Sequence, residues 1–301
     1  LAFDFPTGQT WGEDSPAPID EAMEREFNLR PRHPEREAVY AEFAHRSARF
    51  RETRPALLNQ RYGAGPRALL DVFPAGAGAP VFLFIHGGYW RTLDKDVFSF
   101  LAEPFLEAGI TVVMPNYDLV PSVPLADIVE QMRQALAWLR AEAASFGADA
   151  SRIVLSGHSA GGHLAAYSAL TDSAGIRGVV PVSGVFELSR LLRTSINRDA
   201  RMTPAVADAL SPHRLAAEMA SLPPIPLLLL VGGEETAGFQ QQSRDFLEIW
   251  RDRGRPGAMV LAPGRTHFTV LETLADPQGP VFNEVRTILA AQPQPFEHKG
   301  H

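Results

Sequence analysis

Short apolar runs closed by glycine or proline recur along the chain from residue 68 onward. Ala68–Phe73 stops at Pro74, Val81–Ile85 at His86-Gly87-Gly88, Ile110–Met114 at Pro115 and Arg152–Ser156 at Gly157. Val179–Val182, Pro226–Val231 and Ala258–Leu261 complete the series. Continuous runs of this kind suit strands buried on both faces. The segments between them carry helical spacing. Asp127–Ala144 gathers Ile128, Met132, Ala135, Leu136 and Leu139 on one face, and Phe239–Trp250 gathers Phe239, Phe246, Leu247 and Trp250. Strands alternating with helices predict an α/β chain with a mostly parallel, doubly wound sheet flanked by helices. Such sheets bind ligands at the carboxyl ends of their strands, so the residues just after each run matter most.

The first 60 residues read differently. Glu and Arg are interleaved around Phe27, Tyr40, Phe43 and Phe50, with helical spacing from Pro34 to about Phe50. We expect an N-terminal helical arm over residues 1–60 packed on one domain over 61–292. A small cap-like insert is expected at about 185–222 and a tail over 293–301. Of the 301 residues, 45% are hydrophobic and 21% charged, which excludes a disordered or fibrous chain. Runs such as Leu227–Val231 are far shorter than the roughly 20 residues that span a bilayer. Leu1–Asp4 offers no basic region followed by an apolar stretch, so no signal peptide is expected. The net charge of −7, without clustered basic residues, argues against nucleic acid as a partner. There are no cysteines, so thiolate nucleophiles and cysteine-ligated metals are excluded.

The run Arg152–Ser156 leads into Gly157-His158-Ser159-Ala160-Gly161 and then an Ala-rich helical stretch. This is G-x-S-x-G in its required setting, a strand-to-helix turn. There the small residues let the turn close and expose a strained serine. Ser159 is the candidate nucleophile. A dinucleotide loop does not fit, because the spacing is not G-x-G-x-x-G, and the Gly-Lys-Ser/Thr of a P-loop is absent.

Acyl transfer builds an oxyanion, and preorganised N–H donors stabilise it by about 2.7–4 kcal/mol each. Ala160, directly after the nucleophile, is one expected donor. Gly88 and Tyr89, in the His86-Gly87-Gly88-Tyr89-Trp90 segment, are the others. His86 is expected to organise this loop, Tyr89 to line the pocket and Trp90 to join the core. The base should follow the last strand, where His267 stands after Pro263-Gly264-Arg265-Thr266. The acid should follow Pro226–Val231. Gly232-Gly233-Glu234-Glu235 offers two candidates, of which Glu235 has the favoured placement and Glu234 is the alternative. One of the two must face solvent, since adjacent inward carboxylates would raise each other's pKa. His158 and His163, five apart, do not share a helix face, so no metal site is expected. His298 and His301 fall in the tail.

Taken together, these motifs resemble the kynurenine formamidase (arylformamidase) group of α/β-hydrolases, which is related to the hormone-sensitive-lipase-like esterases. The resemblance runs through Glu26-Phe27-Asn28-Leu29-Arg30, Tyr62-Gly63, His86-Gly87-Gly88-Tyr89-Trp90-Arg91 with Leu93-Asp94-Lys95, and Pro115-Asn116-Tyr117-Asp118-Leu119. It continues through Gly157–Leu164 and closes at Thr266-His267-Phe268. It implies an α/β-hydrolase fold, the triad Ser159, Glu235 and His267, no cofactor and no metal. It further implies a cytoplasmic enzyme hydrolysing an aryl formamide such as N-formylkynurenine. Two positions depart from the family habit: the acid is Glu where Asp is frequent, and Phe27 stands where Tyr often precedes Asn. An aromatic substrate is expected among Tyr89, Tyr117, Phe186 and Phe239. Two other readings remain, a broad carboxylesterase for short acyl esters and a non-catalytic binding protein on a hydrolase fold. The expected partner is a small aryl amide or ester, without nucleic acid or membrane, and a homodimer is compatible with the sequence.

Overall fold

A computed structural model of the chain describes residues 18–291. The start of the arm and the tail expected over 293–301, with His298 and His301, lie outside the described residues. Eight strands form one sheet in the order β1-β2-β4-β3-β5-β6-β7-β8. They are β1 (Leu57–Arg61), β2 (Leu69–Phe73), β3 (Ala79–Ile85), β4 (Thr111–Pro115), β5 (Ala148–His158), β6 (Ile176–Val182), β7 (Leu227–Gly232) and β8 (Gly257–Ala262). β2 runs antiparallel to β1 and β4, and every pairing from β4 to β8 is parallel.

Alternation along the strands feeds two cores. In β3, Val81, Leu83 and Ile85 face one core, while Phe82 and Phe84 face the other. The arm supplies α1 (Glu21–Phe27) and α2 (Arg36–Thr53), and α3 (Ala102–Glu107) precedes β4. α4 (Leu125–Glu142) and α5 (Ala160–Thr171) flank β5 in sequence. Three short helices follow β6: α6 (Asn197–Ala200), α7 (Pro204–Leu210) and α8 (Pro212–Glu218). α9 (Ala237–Asp252) joins β7 to β8, and α10 (Leu271–Leu274) and α11 (Pro280–Ala290) are the last elements among the described residues. Residues of α4, α5 and α9 fill the first core, and those of α3, α10 and α11 fill the second. The result is the three-layer α/β-hydrolase architecture. No helix among the described residues is long and apolar enough to cross a membrane.

The arm straddles the sheet. Phe27 of α1 joins the first core, whereas Phe43 and Phe50 of α2 join the second. The boundary drawn at residue 60 falls inside β1, so the arm ends as an edge strand of the sheet. A buried ion cluster fastens it there. Asp71 of β2, fully buried, meets Arg51 of α2 at 2.5 Å and Lys95 at 3.1 Å. Lys95 also binds Asp96 at 2.6 Å and the Asn59 side-chain oxygen at 2.9 Å. The segment proposed as a cap insert carries α6–α8 and closes on itself through His213 N–H to the Phe186 carbonyl, 3.0 Å, while the Gln242 side-chain oxygen of α9 accepts the Phe186 N–H at 2.8 Å and joins it to the domain.

Candidate active site

β5 ends at His158 and α5 begins at Ala160, which leaves Ser159 alone in the turn between them. Its φ of 55° and ψ of −115° lie where an L-residue is strained. The flanking glycines make the turn closable. A Cβ on Gly157 would sit 2.3 Å from the Gly161 carbonyl oxygen, and one on Gly161 would sit 2.0 Å from that of Ile85. The hydroxyl of Ser159 makes no hydrogen bond among the described residues and lines a cavity of about 200 Å³. The N-terminus of α5 points its unpaired N–H groups at this position, which favours negative charge there.

The loop after β3 passes directly over the serine. A Cβ on Gly87 would sit 2.8 Å from the His158 carbonyl oxygen and 3.2 Å from Ser159 Cβ, so the close approach favours glycine. Gly88, Tyr89 and Trp90 follow with φ of 113°, 51° and 57°. Among the described residues, the N–H groups of Gly88, Tyr89 and Ala160 have no acceptor, which leaves them available to a ligand oxygen. The loop is braced from below. His86 places one ring nitrogen 2.7 Å from the Gly87 carbonyl and the other 2.8 Å from Asn116 Oδ1. Full burial pushes its pKa down to about 4, against the opposing pull of those two oxygens. Asn116 donates to Asp94 at 2.7 Å, and Asp94 pairs with Arg67 at 3.2 Å. Asp94 therefore acts as a loop anchor, while Lys95 belongs to the ion cluster on Asp71.

His267 stands after β8 and is almost fully buried. Its Nδ1 lies 2.8 Å from Glu235 Oε2. The other carboxylate oxygen of Glu235 accepts from Gly232 N–H at 2.7 Å and from Ser183 Oγ at 2.5 Å. Glu234 is exposed, and its N–H donates to the Arg265 carbonyl at 3.0 Å, which ties the acid loop to the histidine loop. The His267 ring packs on Phe239 at 4.5 Å between centroids. His158 donates from Nε2 to the His267 carbonyl at 2.8 Å, and burial holds its pKa well below the usual value. His163 binds the Leu210 carbonyl through Nε2 at 2.8 Å. No group of three or more His, Asp or Glu side chains suited to a metal ion occurs among the described residues.

The cavity is lined by Ser159, His267, Gly88, Tyr89 and arm residues that include Leu29, Arg30, Arg36 and Tyr40. The aromatic residues expected around a substrate divide. Tyr89 lines the cavity and Trp90 is fully buried. Tyr117 lies behind the loop, stacked on His86 at 4.3 Å, with its hydroxyl on the His86 carbonyl at 2.9 Å. Phe186 stacks on Phe246 at 4.5 Å, and Phe239 is fully buried between Phe27 and His267. The structure thus corrects the pocket assignment of Tyr117, Phe186 and Phe239: each is consumed by packing. Tyr40 and Phe268 supply aromatic lining in their place. Sequence reasoning also missed Ser183. Its position just after an apolar run, at a strand's carboxyl end, was the available signal.

A family model described as BD-FAE matches residues 71–209. The kynurenine formamidase of Salmo salar is 30% identical over 239 residues, spanning 76% of this chain and 80% of the relative. Among solved structures, a candidate thioesterase from Silicibacter sp. tm1040 is 36% identical, with a TM-score of 0.73, over 84% of this chain and 94% of that one. Esterase B from Lactobacillus rhamnosis shares the fold, with a TM-score of 0.66 at 21% identity over 89% of this chain and 94% of that one. The chain is a hydrolase, and it belongs to the kynurenine formamidase family of α/β-hydrolases.

Proposed function

We propose that this hydrolase cleaves an aryl formamide resembling N-formylkynurenine, with Ser159 as nucleophile, His267 as base and Glu235 as the acid that orients it. The observation that carries the reading is the 2.8 Å contact between His267 Nδ1 and Glu235. It fixes the tautomer that leaves Nε2 free to take a proton, in a cavity shared with Ser159. Ser159 Oγ attacks the formyl carbon as its proton passes to His267. The oxyanion is held by the N–H groups of Ala160, Gly88 and Tyr89. Collapse breaks the C–N bond, and the imidazolium gives its proton to the departing arylamine. Water then repeats the sequence on the formyl ester and releases formate. None of these steps calls for a cofactor.

Arg30 and Arg36 line the same cavity. Arg30 forms no ion pair among the described residues, and partial burial together with the charges of Arg91 and Arg36 lowers its pKa. Free positive charge at the mouth suits an aryl group that carries a carboxylate. A cytoplasmic site of action, without nucleic acid or membrane partner, accompanies this reading. The second reading is hydrolysis of short acyl esters or thioesters, supported by the 36% identity to the candidate thioesterase.

The test compares kcat/KM on N-formylkynurenine, formanilide and a short p-nitrophenyl ester, with Ser159→Ala alongside. A preference of orders of magnitude for N-formylkynurenine is expected, and Ser159→Ala should be inactive while still folded. Equal values on all three substrates would favour the esterase reading. An active Ser159→Ala would remove the nucleophile.

A further inference from the structure

Glu235 divides its carboxylate between two tasks. Oε2 faces His267, while Oε1 is taken up by Gly232 N–H at 2.7 Å and Ser183 Oγ at 2.5 Å. Ser183 comes immediately after β6 and is fully buried, and its N–H donates to the Leu230 carbonyl of β7 at 2.8 Å. The residue is therefore fixed between two strands, and its hydroxyl has no other acceptor among the described residues. Its φ is 48°, in the left-handed region that favours glycine or asparagine. A strained, buried serine at a strand end is unusual unless the hydroxyl is used.

The chemistry of the acid gives that hydroxyl a use. Glutamate has one more rotatable bond than aspartate, so its carboxylate needs more restraint to hold one orientation. Gly232 N–H supplies one fixed donor, and a second donor on the same oxygen limits rotation about the terminal bond. Two donors also stabilise the carboxylate charge that must face the imidazolium during turnover.

We infer that Ser183 is a positioning residue of the site: its hydroxyl holds Glu235 in the orientation that presents Oε2 to His267. The inference rests on the triad reading above and concerns a residue outside that triad. Ser183 touches neither substrate nor reacting atoms and acts only through Glu235.

That dependence is what the experiment reads. Ser183→Ala, Glu235→Gln and the double variant are compared in a double-mutant cycle. Ser183→Ala should lower kcat about tenfold in the natural background, as loss of a hydrogen bond to a charged group does, with KM nearly unchanged. In the Glu235→Gln background it should cause no further loss. Ser183→Gly relieves the backbone strain while also removing the hydroxyl. It should show the same kinetic loss with an undiminished thermal midpoint, which separates positioning from stability. The downfield proton resonance of the His267 Nδ1–H should shift or broaden in Ser183→Ala. An equal loss in both backgrounds, or none in either together with an unchanged resonance, would overturn the assignment. If Ser159→Ala is dead and the cycle is additive, only the role of Ser183 fails. If Ser159→Ala is active, the triad reading fails with it.

Discussion

The Tyr89 hydroxyl donates to the Phe27 carbonyl at 2.5 Å and ties the loop after β3 to the last turn of α1. The same helix turn reaches two other parts of the site. Glu26 accepts the Gly238 N–H at 2.6 Å, capping α9 just past Glu235, and its carbonyl accepts the Thr236 hydroxyl at 2.8 Å. The Phe27 ring packs on Phe239, which packs on His267. Glu24 secures α1 itself, accepting Ser195 N–H at 2.7 Å and Ser195 Oγ at 2.6 Å. The arm is thus a structural part of the site.

Tyr89→Phe tests that coupling. The ring keeps its place in the cavity wall while the tether is lost. A buried hydrogen bond contributes on the order of 1 kcal/mol. We expect kcat to fall about fivefold with KM little changed, because the loop's N–H groups would sample more than one orientation. Steady-state kinetics measures this directly. An unchanged kcat would mean that the loop holds its shape without α1.

The two adjacent glutamates should separate sharply. Glu235→Gln keeps the shape but presents an amide to His267 and disturbs its tautomer. A loss of roughly 10⁴ in kcat is expected, by analogy with acid-to-amide changes in other triads. Glu234 is exposed, and Glu234→Gln should stay within about twofold, as for an ordinary surface change. Comparable losses in the two variants would contradict the assignment of the acid.

The contrast between what the sequence revealed and what it hid follows from burial. β2 to β7 are legible because runs such as Val81–Ile85 and Leu227–Val231 lie between two helical layers and must be apolar, whereas β8, at the far edge of the sheet, is only partly buried and shows only through its short run Ala258–Leu261. β1 is an edge strand. Its Leu57-Leu58-Asn59-Gln60-Arg61 is exposed at four of five positions, so no apolar run marks it. Ser159 and His267 are legible because strand ends dictate their neighbours, with Gly157 and Gly161 enforced by contact. The pocket was not legible for a different reason. Tyr117 and Phe186 sit in segments beside the site, but composition cannot distinguish a ring that faces a cavity from one stacked on His86 or Phe246. The lining contributed by Leu29 and Tyr40 depends on the arm crossing the strand ends, which local pattern does not encode.

The glycine contacts permit a sharper test of the turn. A methyl on Gly161 would meet the Ile85 and His86 carbonyl oxygens at 2.0 and 2.6 Å, and both are backbone atoms that cannot swing aside. Gly161→Ala should destabilise the fold by about 2 kcal/mol or more, as overpacking does. It should also abolish activity by displacing the loop that carries Gly88. Gly264 is the control. Its φ is 67°, but an added Cβ meets nothing within 4 Å. Gly264→Ala should cost about 1 kcal/mol, from backbone strain alone. Urea unfolding of the two variants gives the comparison, and equal losses would show that contact at Gly161 is not the constraint.

His163 predicts how stability depends on pH. It is fully buried on α5, with Nε2 donating to the Leu210 carbonyl and Nδ1 without a partner among the described residues. Burial pushes its pKa down from 6.5 to about 4. The unfolded chain therefore binds the proton first as pH falls. The stability tied to the neutral ring is fully present above pH 6.5 and is lost as pH drops through about 4. A shift of this size corresponds to about 3 kcal/mol across the window. Between pH 6 and 4.5 the natural chain should lose stability more steeply than His163→Gln, by up to about 1.4 kcal/mol per pH unit. His158 is depressed in the same direction, so the slope should shrink in the variant without vanishing. Urea unfolding at half-unit steps of pH measures both slopes, and identical slopes would mean that His163 titrates alike in the folded and unfolded chains.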